Sequence, residues 1–223
     1  MANIKLLVSA PSGVGKTHCI KDLEDCFVIS CDGKKFPHAI PHVLIPEVND
    51  VDSFIETVYE KIAVYEEKLG KLPKVVVIDT LSKIIQDIES YYNATVSNFP
   101  YGVIGSEIRK LMKFIEVDLS DNFDVVMLSH SLYDEGTKSY KLVTAGGNTG
   151  KTGGAYANVD ESLAIELKIG TTTKRIVHYR NPKLLARTLS DIEQDSVDMN
   201  DFSLQKHLEL LRSKADKVNE WSL

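Results

Sequence analysis

Apolar positions follow two rhythms along the 223 residues. Short continuous runs at 4–10 (IKLLVSA), 26–32 (CFVISCD), 74–80 (KVVVIDT) and 124–130 (DVVMLSH) predict strands buried on both faces. A shorter run at 42–46 (HVLIP) adds a strand. Between them the spacing becomes helical. Val51, Ile55, Val58, Ile62, Tyr65 and Leu69 mark one helix, with Asp52 as its N-cap and Gly70 at its end. Further helices are predicted over 16–25, through Leu81, Ile84, Ile85 and Ile88, and over roughly 105–120. Alternating strands and helices predict an α/β fold: a mostly parallel central sheet with helices on both faces.

Past His130 the texture changes. Residues 134–158 are rich in Gly, Thr, Asn and Ser, with a strand-like run at 139–144 (SYKLVT), and so long a polar stretch inside a domain is expected to be a functional or a mobile loop. Runs at 161–170 and 174–181 predict a C-terminal β-hairpin around Gly170-Thr171-Thr172. The tail reads as an amphipathic helix with Leu204, Leu208, Leu211, Ala215 and Val218 on one stripe, packed on the core. With no internal repeat or linker, the expectation is one domain over 1–223, its core at about 3–190 and its helical tail at about 200–221.

Composition narrows the class. The chain is 43% hydrophobic and 26% charged, as in globular proteins. No apolar run approaches the roughly 18 residues of a membrane helix, and the N-terminus lacks a signal-peptide pattern, so a cytoplasmic protein without membrane contact is expected. The net charge of −6 is uneven. Residues 136–190 hold nine Lys/Arg against three Asp/Glu, leaving 17 basic and 29 acidic residues elsewhere, which predicts one basic face on an acidic body. Cys26, Cys31, His38 and His42 have a loose metal-ligand spacing, but their spacer is short for a zinc finger and free buried thiols are the expectation.

Two stretches end in Gly-Lys-Thr. The first, Pro11-Ser12-Gly13-Val14-Gly15-Lys16-Thr17-His18, lies between a buried strand and a helix, the setting of a phosphate-binding loop. There Gly13 and Gly15 let backbone N–H groups turn toward phosphate oxygens, with the helix N-terminus behind them. Lys16 would reach the β and γ phosphates, and the Thr17 hydroxyl would ligate Mg2+. Asp79 ends the strongest strand, where a carboxylate holds the metal's hydration shell; Thr80 follows in place of a second acid. Asp32 is the candidate to orient attacking water, with Glu47 in reserve, and His130 is placed to sense the γ phosphate. With no Asn-Lys-x-Asp and no Asp-x-x-Gly after the metal strand, elimination favours ATP over GTP. The second stretch, 144–154, has no good helix behind Lys151, so Lys151 reads as a mobile charge.

These elements in this order resemble the RecA-like ATPases, and more closely the phage nucleotide-binding protein family, core-only relatives linked to single-strand annealing and recombination. The resemblance covers about residues 3–190. It implies a RecA-like P-loop core using ATP and Mg2+, with Lys16, Thr17 and Asp79 at the triphosphate and metal and Asp32 in place of a catalytic Glu. It also implies DNA-dependent ATP hydrolysis, a homo-oligomeric ring or filament, single-stranded DNA as partner, and a single-strand DNA-binding protein as a further one. The host cell cytoplasm is the implied location. Lys138, Lys141, Lys151, Lys174, Arg175, Arg180, Lys183 and Arg187 are the candidate DNA contacts, with His178 and Tyr179 interleaved for base stacking. Lys151 has a second reading, a finger toward a neighbour's γ phosphate. The rival functions are a P-loop kinase, disfavoured because 136–158 holds no Arg for a lid, and a non-hydrolysing, nucleotide-gated DNA-binding protein.

Overall fold

The structure is a computed structural model that describes residues 3–143 and 158–219. Its nine strands are β1 (Lys5–Ala10), β2 (Cys26–Ser30), β3 (His42–Leu44), β4 (Val75–Asp79), β5 (Asp124–Asp134), β6 (Ser139–Leu142), β7 (Glu161–Ile169), β8 (Thr173–His178) and β9 (Ser196–Asp198). They form one sheet in the order β3-β2-β4-β5-β1-β7-β8-β9, with β6 paired to β5. Strands β1 to β5 and β7 run parallel, whereas β6, β8 and β9 join antiparallel. The predicted α/β architecture is therefore observed, and β9 is an addition that no apolar run had marked.

Helices cover both faces. On one lie α2 (Val51–Leu69), α3 (Leu81–Thr95) and α4 (Pro100–Lys113), the last continued by a wider turn over 114–119; their buried side chains meet Leu7, Phe27, Ile29, Val76 and Ile78. On the other lie the single turn α1 (Lys16–Cys19) and the tail helix α5 (Leu204–Asn219), where Leu204, Leu208 and Leu211 pack on Leu6, Val8, Val28 and Val77. Residues on β2 alternate between the faces, as a pleated strand requires. Cys26 joins one core and Cys31 the other. That alternation removes the zinc reading, since two ligands cannot converge through a sheet, and the described residues contain no metal-ligating cluster. All three cysteines are buried and free.

Three boundaries differ from expectation. The helix after the phosphate loop is one turn rather than ten residues, because the chain must return to the start of β2 by Cys26. The return runs through successive tight turns, in which the Lys21 N–H donates to the His18 carbonyl at 3.4 Å and the Leu23 N–H to the Ile20 carbonyl at 3.2 Å, and Asp25 takes a φ of 48°. The N-cap of α2 is Asp50, which accepts from the Ser53 N–H at 2.7 Å, and not Asp52. Helix α4 starts at Pro100, whose fixed φ suits a first turn, so Gly102 and Gly105 lie inside it. No described helix is long and apolar enough to cross a membrane.

Two ribbons project past the carboxyl edge of the sheet. β1 ends at Ala10 opposite His130, but β5 continues to Asp134 and folds back as β6. β7 pairs β1 only through Ala164 and runs on to Ile169 before returning as β8. The phosphate loop lies between them.

Candidate nucleotide site

Strand β1 delivers the loop at the carboxyl edge, and β4 and β5, its near neighbours, bring Asp79 and His130 to the same edge. Gly13 and Gly15 take φ of 77° and 117°, a region open to glycine, and carry the chain into α1. Lys16 is buried, and its ammonium donates to the carbonyls of Ala10 at 3.0 Å and Pro11 at 3.2 Å and to His130 Nδ1 at 3.2 Å. Burial lowers Lys16 to about 8, against the pull of Asp79. The same burial, together with Lys16, pushes His130 down.

Thr17 and Asp79 meet directly: the hydroxyl donates to Asp79 Oδ2 at 3.0 Å. Asp79 is 2% exposed, and its Oδ1 is buried with no hydrogen-bond partner. Burial raises the carboxyl to about 6 in spite of the Thr17 hydroxyl. A buried, under-bonded carboxylate oxygen beside a hydroxyl is chemistry that fits a hard divalent cation.

A 240 Å³ cavity joins these groups, lined by the loop residues Ser12 to His18 except Val14, by Asp32, Asp79, Thr80 and His130, and by Lys34, Lys35, Phe36 and Pro37. Asp32 thus comes to the phosphate end, whereas Glu47 is exposed and does not line the cavity. The wall from Lys34 to Pro37, and His38, whose Nε2 lies 3.0 Å from the Thr17 carbonyl, were not foreseen from sequence. Their position just past the end of β2 was the available signal, because chain leaving the carboxyl ends of parallel strands lines the crevice.

A second cavity of 590 Å³ begins at His18 and is lined by Thr172–Arg175 and Asp198–Asn200. Arg175, expected as a DNA contact, is exposed and has its side chain beside Gly15 of the phosphate loop. A Cβ added at Gly15 would come within 3.3 Å of its Cδ, so glycine there makes room for it.

The other candidate DNA residues divide. Lys138, Lys174 and Lys183 are exposed. Lys141 is paired with Asp134, and Arg180 lies 3.5 Å from Asp195. Arg187 turns inward and donates to the Val159 carbonyl at 2.5 Å. His178 and Tyr179 are buried, one against Glu166 at 2.8 Å and the other against Phe202 and His207, so neither ring is open to stack on a base. Lys151 lies outside the described residues.

Comparison with known proteins agrees with this geometry. No curated protein matches the chain. Among solved structures, a KaiC-like protein from the hyperthermophilic archaeon Pyrococcus horikoshii OT3 superposes with a TM-score of 0.50 at 12% identity, over 87% of this chain and 84% of that one. At that identity the likeness is one of fold, the RecA-like P-loop ATPase fold. The profile of a family described as an AAA domain matches residues 2–187. The chain belongs to that AAA domain family of P-loop ATPases.

Proposed function

We propose that this protein hydrolyses ATP at the Gly13–Thr17 loop and couples the reaction to single-stranded DNA, in phage recombination or annealing, as a homo-oligomer. The observation that carries the nucleotide reading is the convergence of Lys16, Thr17, Asp79 and His130 in one cavity, with the orphaned Asp79 Oδ1 among them. Phosphate oxygens would replace the Ala10 and Pro11 carbonyls as the partners of Lys16. Thr17 and Asp79 would hold Mg2+, which when bound neutralises phosphate charge. Asp32 would orient the attacking water and accept its proton. His130, already against Lys16, would exchange that contact for the terminal phosphate. The nucleoside end would leave over His18 into the second cavity, with the Arg175 guanidinium beside it.

The DNA reading is supported by the two projecting ribbons and by the exposed cations on them, Lys138 and Lys174. Lys183 and Lys151 complete the proposed contacts, Lys151 with its second reading as a finger across subunits. A single-strand DNA-binding protein remains the proposed protein partner.

Steady-state ATP turnover with and without single-stranded DNA tests the function, with Lys16→Ala and Lys151→Ala as variants. Turnover should rise with DNA and fall by about 100-fold or more in Lys16→Ala. Turnover that ignores DNA but needs a phosphate-accepting metabolite would make the protein a kinase. DNA binding without turnover would leave the nucleotide-gated binding protein. If Lys151 acts across subunits, mixing Lys151→Ala with Lys16→Ala protein should restore part of the activity.

A further inference from the structure

Asp32 is held at both carboxylate oxygens by one residue, Lys34. The Lys34 backbone N–H donates to Asp32 Oδ1 at 2.9 Å, and the Lys34 ammonium lies 3.3 Å from Oδ2. The two contacts differ in permanence. The first belongs to the turn Asp32-Gly33-Lys34, where Gly33 takes φ of 73°, and it orients the carboxylate. The second depends on charge alone. The Lys34 side chain is 76% exposed against 25% for Asp32, and pairs so open to water are held weakly.

Lys34 also faces the place proposed for the terminal phosphate. It lines the cavity with Lys16, Asp79 and His130, and its charge is felt by all three. A terminal phosphate beside Lys16 carries more negative charge than one carboxylate and offers three acceptor oxygens. The flexible ammonium then has a stronger partner within the same cavity.

We infer that Lys34 is a substrate-operated latch on Asp32: its ammonium leaves Oδ2 for the terminal phosphate of a bound nucleoside triphosphate, and the freed oxygen becomes the base. The inference rests on Asp32 as the base of the proposed ATPase. In the step, the water oxygen bonds to the terminal phosphorus and one water proton passes to Asp32 Oδ2. The bond from that phosphorus to the bridging oxygen breaks, its electron pair leaving on the diphosphate. A diphosphate brings no terminal group to this position and leaves the latch closed. One lysine thereby reads triphosphate against diphosphate and couples that reading to the availability of the base.

The test uses the full chain with Lys34→Met, Lys34→Arg and Asp32→Asn. Titration calorimetry measures binding of Mg2+ complexes of a non-hydrolysable ATP analogue and of ADP, and a phosphate-release assay measures turnover. Lys34→Met should weaken the analogue about tenfold, the loss of one charge-assisted contact, and leave ADP within about twofold. Its kcat should fall about tenfold, since charge developing on the terminal phosphate loses a cation. Lys34→Arg should keep both quantities within about threefold of the wild type, because it retains the charge. A wild-type ratio of analogue to ADP affinity in Lys34→Met overturns the latch; if Asp32→Asn then binds both nucleotides but lacks turnover, Asp32 stands as the base without it. Wild-type turnover in Asp32→Asn overturns the base and the latch together. The binding arm needs no turnover, and retained ADP binding reports a folded pocket in every variant.

Discussion

Asp79 trades stability against chemistry in a way that a titration can read. One carboxylate oxygen accepts from Thr17 and the other is buried without a partner, and burial moves the carboxyl up to about 6. The ionised form is therefore worse off folded than unfolded. Below about pH 4 both states are protonated and the group costs nothing; as pH rises toward 6 and beyond, the folded state loses stability relative to the unfolded one. Asp79→Asn removes this cost. In the absence of divalent cation the variant should be more stable than the wild type by about 1–3 kcal/mol at pH 7.5, with the difference vanishing near pH 4. Denaturant unfolding at the two pH values measures it, and equal stability at pH 7.5 would contradict the assignment. The same variant should lose Mg2+-dependent turnover. Asp79 was legible in the sequence because an apolar run ending in an acid states both strand and position. Lys34 was not. Its place in the cavity is set by the path of the chain from Asp32 to Pro41, which has no periodicity to read.

Tail helix α5 shows the same division at the scale of an element. Its apolar stripe was legible, and Leu204, Leu208 and Leu211 are buried where the spacing put them. Val218 lies outside the described side chains. Two polar anchors were hidden. His207 Nε2 lies 2.5 Å from Glu161 Oε1 with both residues buried, and Arg212 pairs with Asp124 at the amino end of β5. These partners are 46 and 88 positions apart in the chain, far beyond the reach of a helical repeat. Glu161 also accepts from the Thr188 hydroxyl at 2.8 Å and the Leu189 N–H at 3.1 Å, so one buried carboxyl ties together β7, the segment after β8 and the tail. His207→Ala removes one partner and leaves the carboxyl in place. It should cost about 2–4 kcal/mol, read as a lower urea midpoint with an unchanged slope. A loss under about 0.5 kcal/mol would mean that water takes over from the imidazole.

Across the whole molecule, strand and helix order was legible and spatial order was not. Continuous apolar runs identify β1, β2, β4 and β5 as buried on both faces, but nothing local states that β5 lies between β4 and β1. The charge asymmetry shows a related limit. Counting residues 136–190 gives a basic segment, yet Lys141 pairs with Asp134 and Arg180 with Asp195, acids that lie just outside that window. A count along the chain cannot see partners brought in by folding, and the basic face is narrower than its tally. The three thiols extend the same lesson to an experiment. Cys26 and Cys31 sit in opposite cores, Cys19 lies behind the phosphate loop, and burial raises all three, Cys26 and Cys31 to about 12. In the folded protein they should be silent to a colorimetric disulfide reagent at pH 8. In denaturant they should all react. Their modification rate then becomes a clock for opening of the sheet, with no dye or engineered label, and it should slow when nucleotide binding holds the molecule closed.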